Sequence, residues 1–179
     1  MGQTDGTEKN TGSDQNIYRQ QRLENLRHLV EAGYRPSSAP FQRSGRLAEI
    51  RAGFQEGREV SAAGRVTALR LMGKSIFADL RDGSDRFQIF VSPKDAGEKA
   101  HSAFRRVDIG DHIGVRGTLF TTRMGEKTIL VKEWTLLSKA LLPLPEKWHG
   151  LKDVETRYRH RYLDLIANPD VRRIFDNRI

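Results

Sequence analysis

Two neighbouring apolar segments carry the side chains best suited to chemistry on a nucleic-acid base. In residues 75–81, SIFADLR, Ile76, Ala78 and Leu80 fall on one side of a period-two pattern, and Phe77, Asp79 and Arg81 on the other. In residues 86–91, RFQIFV, Phe87, Ile89 and Val91 alternate with Arg86, Gln88 and Phe90. Arg65 lies out of phase with Val60, Gly64 and Val66. If the aliphatic sets face a core, the opposite face interleaves rings, guanidinium groups and an amide. An exposed ring is a platform for a base, and a guanidinium neutralises phosphate or stacks. Gln offers both a donor and an acceptor to a Watson–Crick edge. Each residue also has a plainer reading. Phe90 could lie under the N-terminal helix, Phe77 could be a core ring at a barrel end, Gln88 could be solvated, and Arg65 could pair with Asp79 or Glu133. The four together make the stronger pattern.

No catalytic or metal-binding set emerges beside them. His28, His101, His112, His149 and His160 are scattered without ligand spacing. There is no P-loop and no His-Glu-x-x-His. Asp79 and Asp82 read as turn acids that bond their local backbone. The segment is expected to catalyse nothing and to bind no cofactor or metal. The absence of cysteine excludes disulfides and thiolate sites. A net charge of +8 favours an anionic partner. No apolar run approaches a membrane span, and the N-terminus lacks a signal-peptide core, so the expectation is a cytoplasmic protein with no membrane partner.

The elements that would position these residues follow from periodicity. Residues 1–15 read as a disordered tail. Residues 16–57 form an N-terminal helical segment. Its amphipathic helix carries Ile17, Leu23, Leu26, Leu29 and Val30, with Gln20, Arg22, Arg27 and His28 on the solvated turns and Gly33 as C-cap. That basic face is available to solvent or to RNA phosphates. A loop over 34–43 leads to a short helix with Leu47, Ile50 and Phe54, closed by Gly57.

Residues 58–140 read as five short antiparallel strands, at 60–67, 75–81, 86–91, about 112–120 and 128–137. Breaks fall at Met72-Gly73-Lys74, Asp82-Gly83, Ile109-Gly110-Asp111 and Met124-Gly125-Glu126, and a short helix is expected around 100–104. The fold class is mainly β with flanking helices, a five-stranded Greek-key OB barrel. A generic five-stranded or SH3-like sheet shares the periodicity, and the helix between strands three and four discriminates. Ile76, Leu80, Phe87, Ile89, Val115 and Leu119 should lie inside and Gln88 outside.

The segment after the barrel carries a more specific signal. Residues 136–141, LLSKAL, then 143–151, PLPEKWHGL, then 157–165, RYRHRYLDL, resemble the N-terminal part of bacterial-type lysyl-tRNA synthetases. These are class II enzymes grouped with the aspartyl and asparaginyl ones. Residues 60–66, 72–82, 86–91 and 108–120 resemble the group's barrel strands. The relatives usually carry Gln where this chain has His160.

The resemblance implies an anticodon-binding domain over 58–140, a linker over 141–151 and, over 152–179, a truncated start of the class II catalytic domain at its motif 1 helix. It implies that Phe77 stacks on an anticodon base, that Gln88 reads the central uridine and that Arg65 contacts the anticodon backbone or a neighbouring base. The implied partners are tRNA(Lys) and, for the full-length enzyme, a second subunit in a homodimer. ATP and Mg²⁺ are implied only for that full-length enzyme, which forms lysyl-adenylate. Its ATP-holding motifs 2 and 3 are not matched within residues 1–179, so this segment alone is expected to be inactive. Ile179 falls inside an element, which suggests an incomplete sequence. The alternative is a free-standing OB-fold protein that binds tRNA or single-stranded nucleic acid.

Overall fold

The computed structural model describes residues 11–36, 40–143 and 153–177. The chain divides into two compact units, residues 1–142 and 143–179. The expected tail at 1–10 and the PLPEKWHGL motif from Leu144 onward lie outside the described residues.

Unit one is a closed barrel of β1 (Glu59–Met72), β2 (Ser75–Arg81), β3 (Arg86–Val91), β4 (His112–Thr121) and β5 (Lys127–Ser138), in the order β1-β2-β3-β5-β4. Antiparallel ladders join β1 to β2, β2 to β3, β4 to β5 and β1 to β4. The five strands are not all antiparallel, as the sequence suggested. β3 and β5 run parallel, because a helical crossover after β3 carries β4 to the far side of β1 and the turn after β4 sends β5 back in the direction of β3. Two short helices occupy that crossover, α3 (Pro93–Ala96) and α4 (Glu98–Phe104).

β1 extends past residue 67 to Met72. A bulge between Val66 and Ala68 changes its phase and lets it curve from β4 onto β2. Before the bulge Val60, Ala62, Gly64 and Val66 face inward; after it Leu69 pairs with the inward Ala78. The bulge conceals this second half from a strict period-two reading. Ile76, Leu80, Phe87, Ile89 and Val115 are wholly buried and Leu119 nearly so, as alternation predicts. Gly117 lies at a register shift in the β4–β5 ladder, where Lys132 is the extra residue on β5, and an added Cβ would come within 1.9 Å of the Leu130 carbonyl oxygen.

Helix α1 (Thr11–Glu31) begins inside the stretch expected to be tail. Gly33, at φ +94°, ends it. Arg22 does not lie on a solvated face. It is buried and donates to the carbonyls of Ala140 and Leu142 at 2.9 and 3.1 Å. Ile17, expected on the apolar side, is exposed, while Leu29 is fully buried. Below α1, Lys139 bonds Asp108 and, at 2.7 Å, the fully buried Asp111. Asp111 also accepts the Ala140 N–H at 2.9 Å, and Asn25 of α1 donates to Asp108. Trp134 is stacked on Tyr34, with centroids 4.2 Å apart, and donates to the Ala100 carbonyl. Helix α2 (Leu47–Ala52) buries Leu47 and Ile50. Its first N–H groups are capped by Asp82 and Ser84 of the β2–β3 turn.

In unit two, the single Arg- and Tyr-rich helix expected from the sequence is three helices: α5 (Val154–Arg159), α6 (Arg161–Ala167) and α7 (Pro169–Asp176). His160, at φ −119° and ψ 58°, breaks the first from the second, and Pro169 starts the third. Asp164 is fully buried between Arg157 at 2.9 Å, Arg161 at 2.5 Å and Asn168 at 2.6 Å. Burial alone would raise its pKa. The donors from Asn168, Arg157 and Arg161 outweigh that and hold it below the ordinary carboxylate value.

Candidate nucleic-acid interface

The outer face running from the start of β4 across β1, β2 and β3 to β5 is ordered in three rows, because residues paired across a sheet share a face. One row runs His112–Arg65–Arg81–Arg86, the next Ala68–Asp79–Gln88–Thr128, and the third Arg70–Phe77–Phe90–Leu130. Phe77 and Gln88 are therefore diagonal neighbours on adjacent strands. Arg65 lies in the row below Gln88, two strands away.

Each predicted residue keeps part of its surface open. Phe77 is half-buried, with its ring 4.9 Å from Phe90 at 52°. Phe90 packs edge-on against Phe120 at 6.0 Å. The side-chain bonds of α1 run instead to Asp108, Ala140 and Leu142, away from Phe90. The Gln88 side-chain oxygen accepts from the Thr128 hydroxyl at 2.9 Å, which fixes the amide plane and leaves its NH₂ without a partner among the described residues. Arg65 pairs with neither Asp79 nor Glu133; it donates to the Gly110 carbonyl at 3.2 Å. Its partial burial lowers its pKa, although a guanidinium stays charged at any physiological pH. Burial, and the Arg65 guanidinium beside it, hold the His112 pKa below its ordinary value against the opposing pull of Asp111.

Asp79 is not a turn acid. It lies within β2 and receives Arg70 at 3.3 Å and Arg86 at 3.2 Å, one on each carboxylate oxygen. Arg86 reaches on to Glu126 at 3.8 Å. Arg70 escaped the sequence reading because β1 was ended before it. Asp82 does have the local role expected of it. Burial would raise its pKa, but Ser84 and the N–H groups of Leu47, Ser84 and Asp85 hold it down. Among the described residues no group of three or more His, Asp or Glu side chains is placed to hold a metal ion, and no helix is long and apolar enough to cross a membrane.

A closed five-stranded barrel with this order, a helical crossover after β3 and a ring-and-amide face on β2 and β3 is an OB fold of the nucleic-acid-binding kind. Residues 60–137 match the family of OB-fold nucleic acid binding domains. Over more of its length the chain is similar to lysine–tRNA ligases. It is 49% identical over 159 residues to that of Moorella thermoacetica, covering 88% of this chain and 32% of the relative. It is 56% identical over 119 residues to that of Aquifex aeolicus, covering 66% and 20%. It is 42% identical over 178 residues to that of Burkholderia multivorans, covering 94% and 35%. The resemblance carried by residues 136–165 thus extends over most of the chain, which spans about a third or less of the length of these curated relatives.

Proposed function

We propose that the barrel binds the anticodon loop of tRNA(Lys) and that the chain is the tRNA-reading portion of a lysine–tRNA ligase. The observation that carries this reading is the placement of Phe77 and Gln88 on one open face, with Arg65 in the row below. Phe77 is the stacking platform for a base. Gln88, its oxygen occupied by Thr128, turns its NH₂ toward a carbonyl oxygen such as a uridine presents. Arg65 meets the backbone or a neighbouring base. The similarity to lysine–tRNA ligases supports uridine as the base read.

In this reading the whole enzyme is a homodimer that joins lysine to ATP as lysyl-adenylate and passes it to the tRNA. Mg²⁺ supplies charge neutralisation at the phosphates. The barrel takes no part in that chemistry. Binding to a hairpin RNA with a uridine-rich anticodon, and to one with its central base changed, tests the reading. A clear preference for the first is expected, and equal affinity for both sinks it.

A further inference from the structure

We infer that Asp79 is a specificity-determining positioning residue, one that keeps two arginines of the interface off the RNA backbone. The inference rests on the tRNA-reading proposal. Asp79 sits in the middle row of the face, directly opposite Gln88 and one row from Phe77. Its side chain is 5% exposed, so its charge requires partners in the folded protein. Those partners are Arg70 from β1 and Arg86 from β3, whose side chains are about half exposed.

The arginines of the face therefore fall into two classes. Arg70 and Arg86 share two carboxylates, those of Asp79 and Glu126, so this group of four carries no net charge. Arg65 donates only to a neutral carbonyl, and Arg81 has no acidic partner among the described residues. The unmatched positive charge lies in the Arg65–Arg81 row, at one end of the interface. A phosphate is drawn to that end, and the bases of the same strand then extend over Gln88 and Phe77. Without the Asp79 charge, Arg70 and Arg86 would flank the ring and the amide as two further phosphate magnets. The strand would then have several registers of similar energy, with binding tighter and less selective.

Salt dependence distinguishes this role from a structural one, because each phosphate contact on a single strand adds about 0.7 to the slope of log affinity against log salt. The 179-residue chain and the variants Asp79→Asn, Arg70→Gln and the double variant are titrated with the two hairpins at stepped KCl. Arg70→Gln alone, a change at an exposed side chain, should leave the slope as it is. Asp79→Asn should steepen the slope by about 0.7 to 1.4 and lower the preference for the uridine-rich hairpin about tenfold. The double variant should return part of the slope. A shallower slope in Arg70→Gln alone would overturn the inference, since Arg70 would already be on phosphate with Asp79 in place. So would an Asp79→Asn protein with the slope and preference of the parent. If Asp79→Asn loses its cooperative melt, the Arg70→Gln slope decides alone. If the parent does not discriminate between the hairpins, the anticodon reading has failed, and the slopes still report whether Asp79 holds Arg70.

Discussion

Phe77 and Phe90 stand directly opposite each other on β2 and β3, their ring centroids 4.9 Å apart, and neither ring is fully covered. The pair is a two-ring shelf built by strand register. Phe77→Ala should cost about 1–3 kcal/mol of RNA binding through lost stacking, and about 0.5–1.5 kcal/mol of fold stability through the lost ring pair. Affinity measured well below the melting transition separates the two. Unchanged affinity would remove Phe77 from the interface.

Gln88→Ala should act on discrimination more than on stability. Its oxygen accepts one hydrogen bond, and the Thr128 hydroxyl that donates it keeps the Glu126 carbonyl at 3.1 Å as an alternative. The expected result is a smaller difference between the uridine-rich hairpin and its central-base variant. An equal loss on both RNAs would show that Gln88 is not a reader.

The knot beneath α1 should be among the least tolerant places in unit one. Lys139→Met leaves Asp111 fully buried with its charge partner gone, and removing one side of such a pair costs about 3–5 kcal/mol. Chemical denaturation of parent and variant measures this. A loss below about 1 kcal/mol would mean that the cluster is hydrated in solution.

His112 gives a pH signature. Its folded pKa lies below the ordinary 6.5, so the folded state resists protonating it more than the unfolded chain does. Its contribution to stability is therefore complete above about pH 6.5 and is lost as pH falls through the folded value. His112→Gln should flatten the decline of the denaturation midpoint on that side of neutrality. A decline that is the same in both proteins would assign it to other groups.

The 179-residue chain should show no lysine-dependent exchange of pyrophosphate into ATP. Orientation of ATP against the lysine carboxylate supplies most of such a rate, and the residues proposed for the barrel bind RNA instead. Robust exchange would overturn that division of labour.

Much of the barrel was legible because its strands obey simple alternation. β2 and β3 start and stop at the predicted residues, and Phe87 and Gln88 lie on the predicted faces. What alternation could not reveal were features that depend on distant chain. The bulge near Thr67 shifted the phase of β1 and hid Arg70. Arg22 looked like a surface charge because its acceptors, the carbonyls of Ala140 and Leu142, are far away in sequence. Asp79 looked like half of a turn pair with Asp82, when its partners come from the two strands flanking its own. The types of the site residues were visible in sequence, but their electrostatic bookkeeping was not.

The parallel joint of the barrel has a consequence for its motion. β3 and β5 are paired only from Gln88–Thr128 to Phe90–Leu130, whereas β4 and β5 are paired along their length. Parallel ladders are also slightly weaker per residue. A cylinder with one short seam breathes there first, so those amides of 88–90 and 128–130 that bond across it should exchange with solvent ahead of the amides bonded in the other ladders. Gln88 and its bond to Thr128 lie across that seam. A strand of RNA laid over it would act as a clasp, and the slowing of exchange at the seam amides would record its arrival.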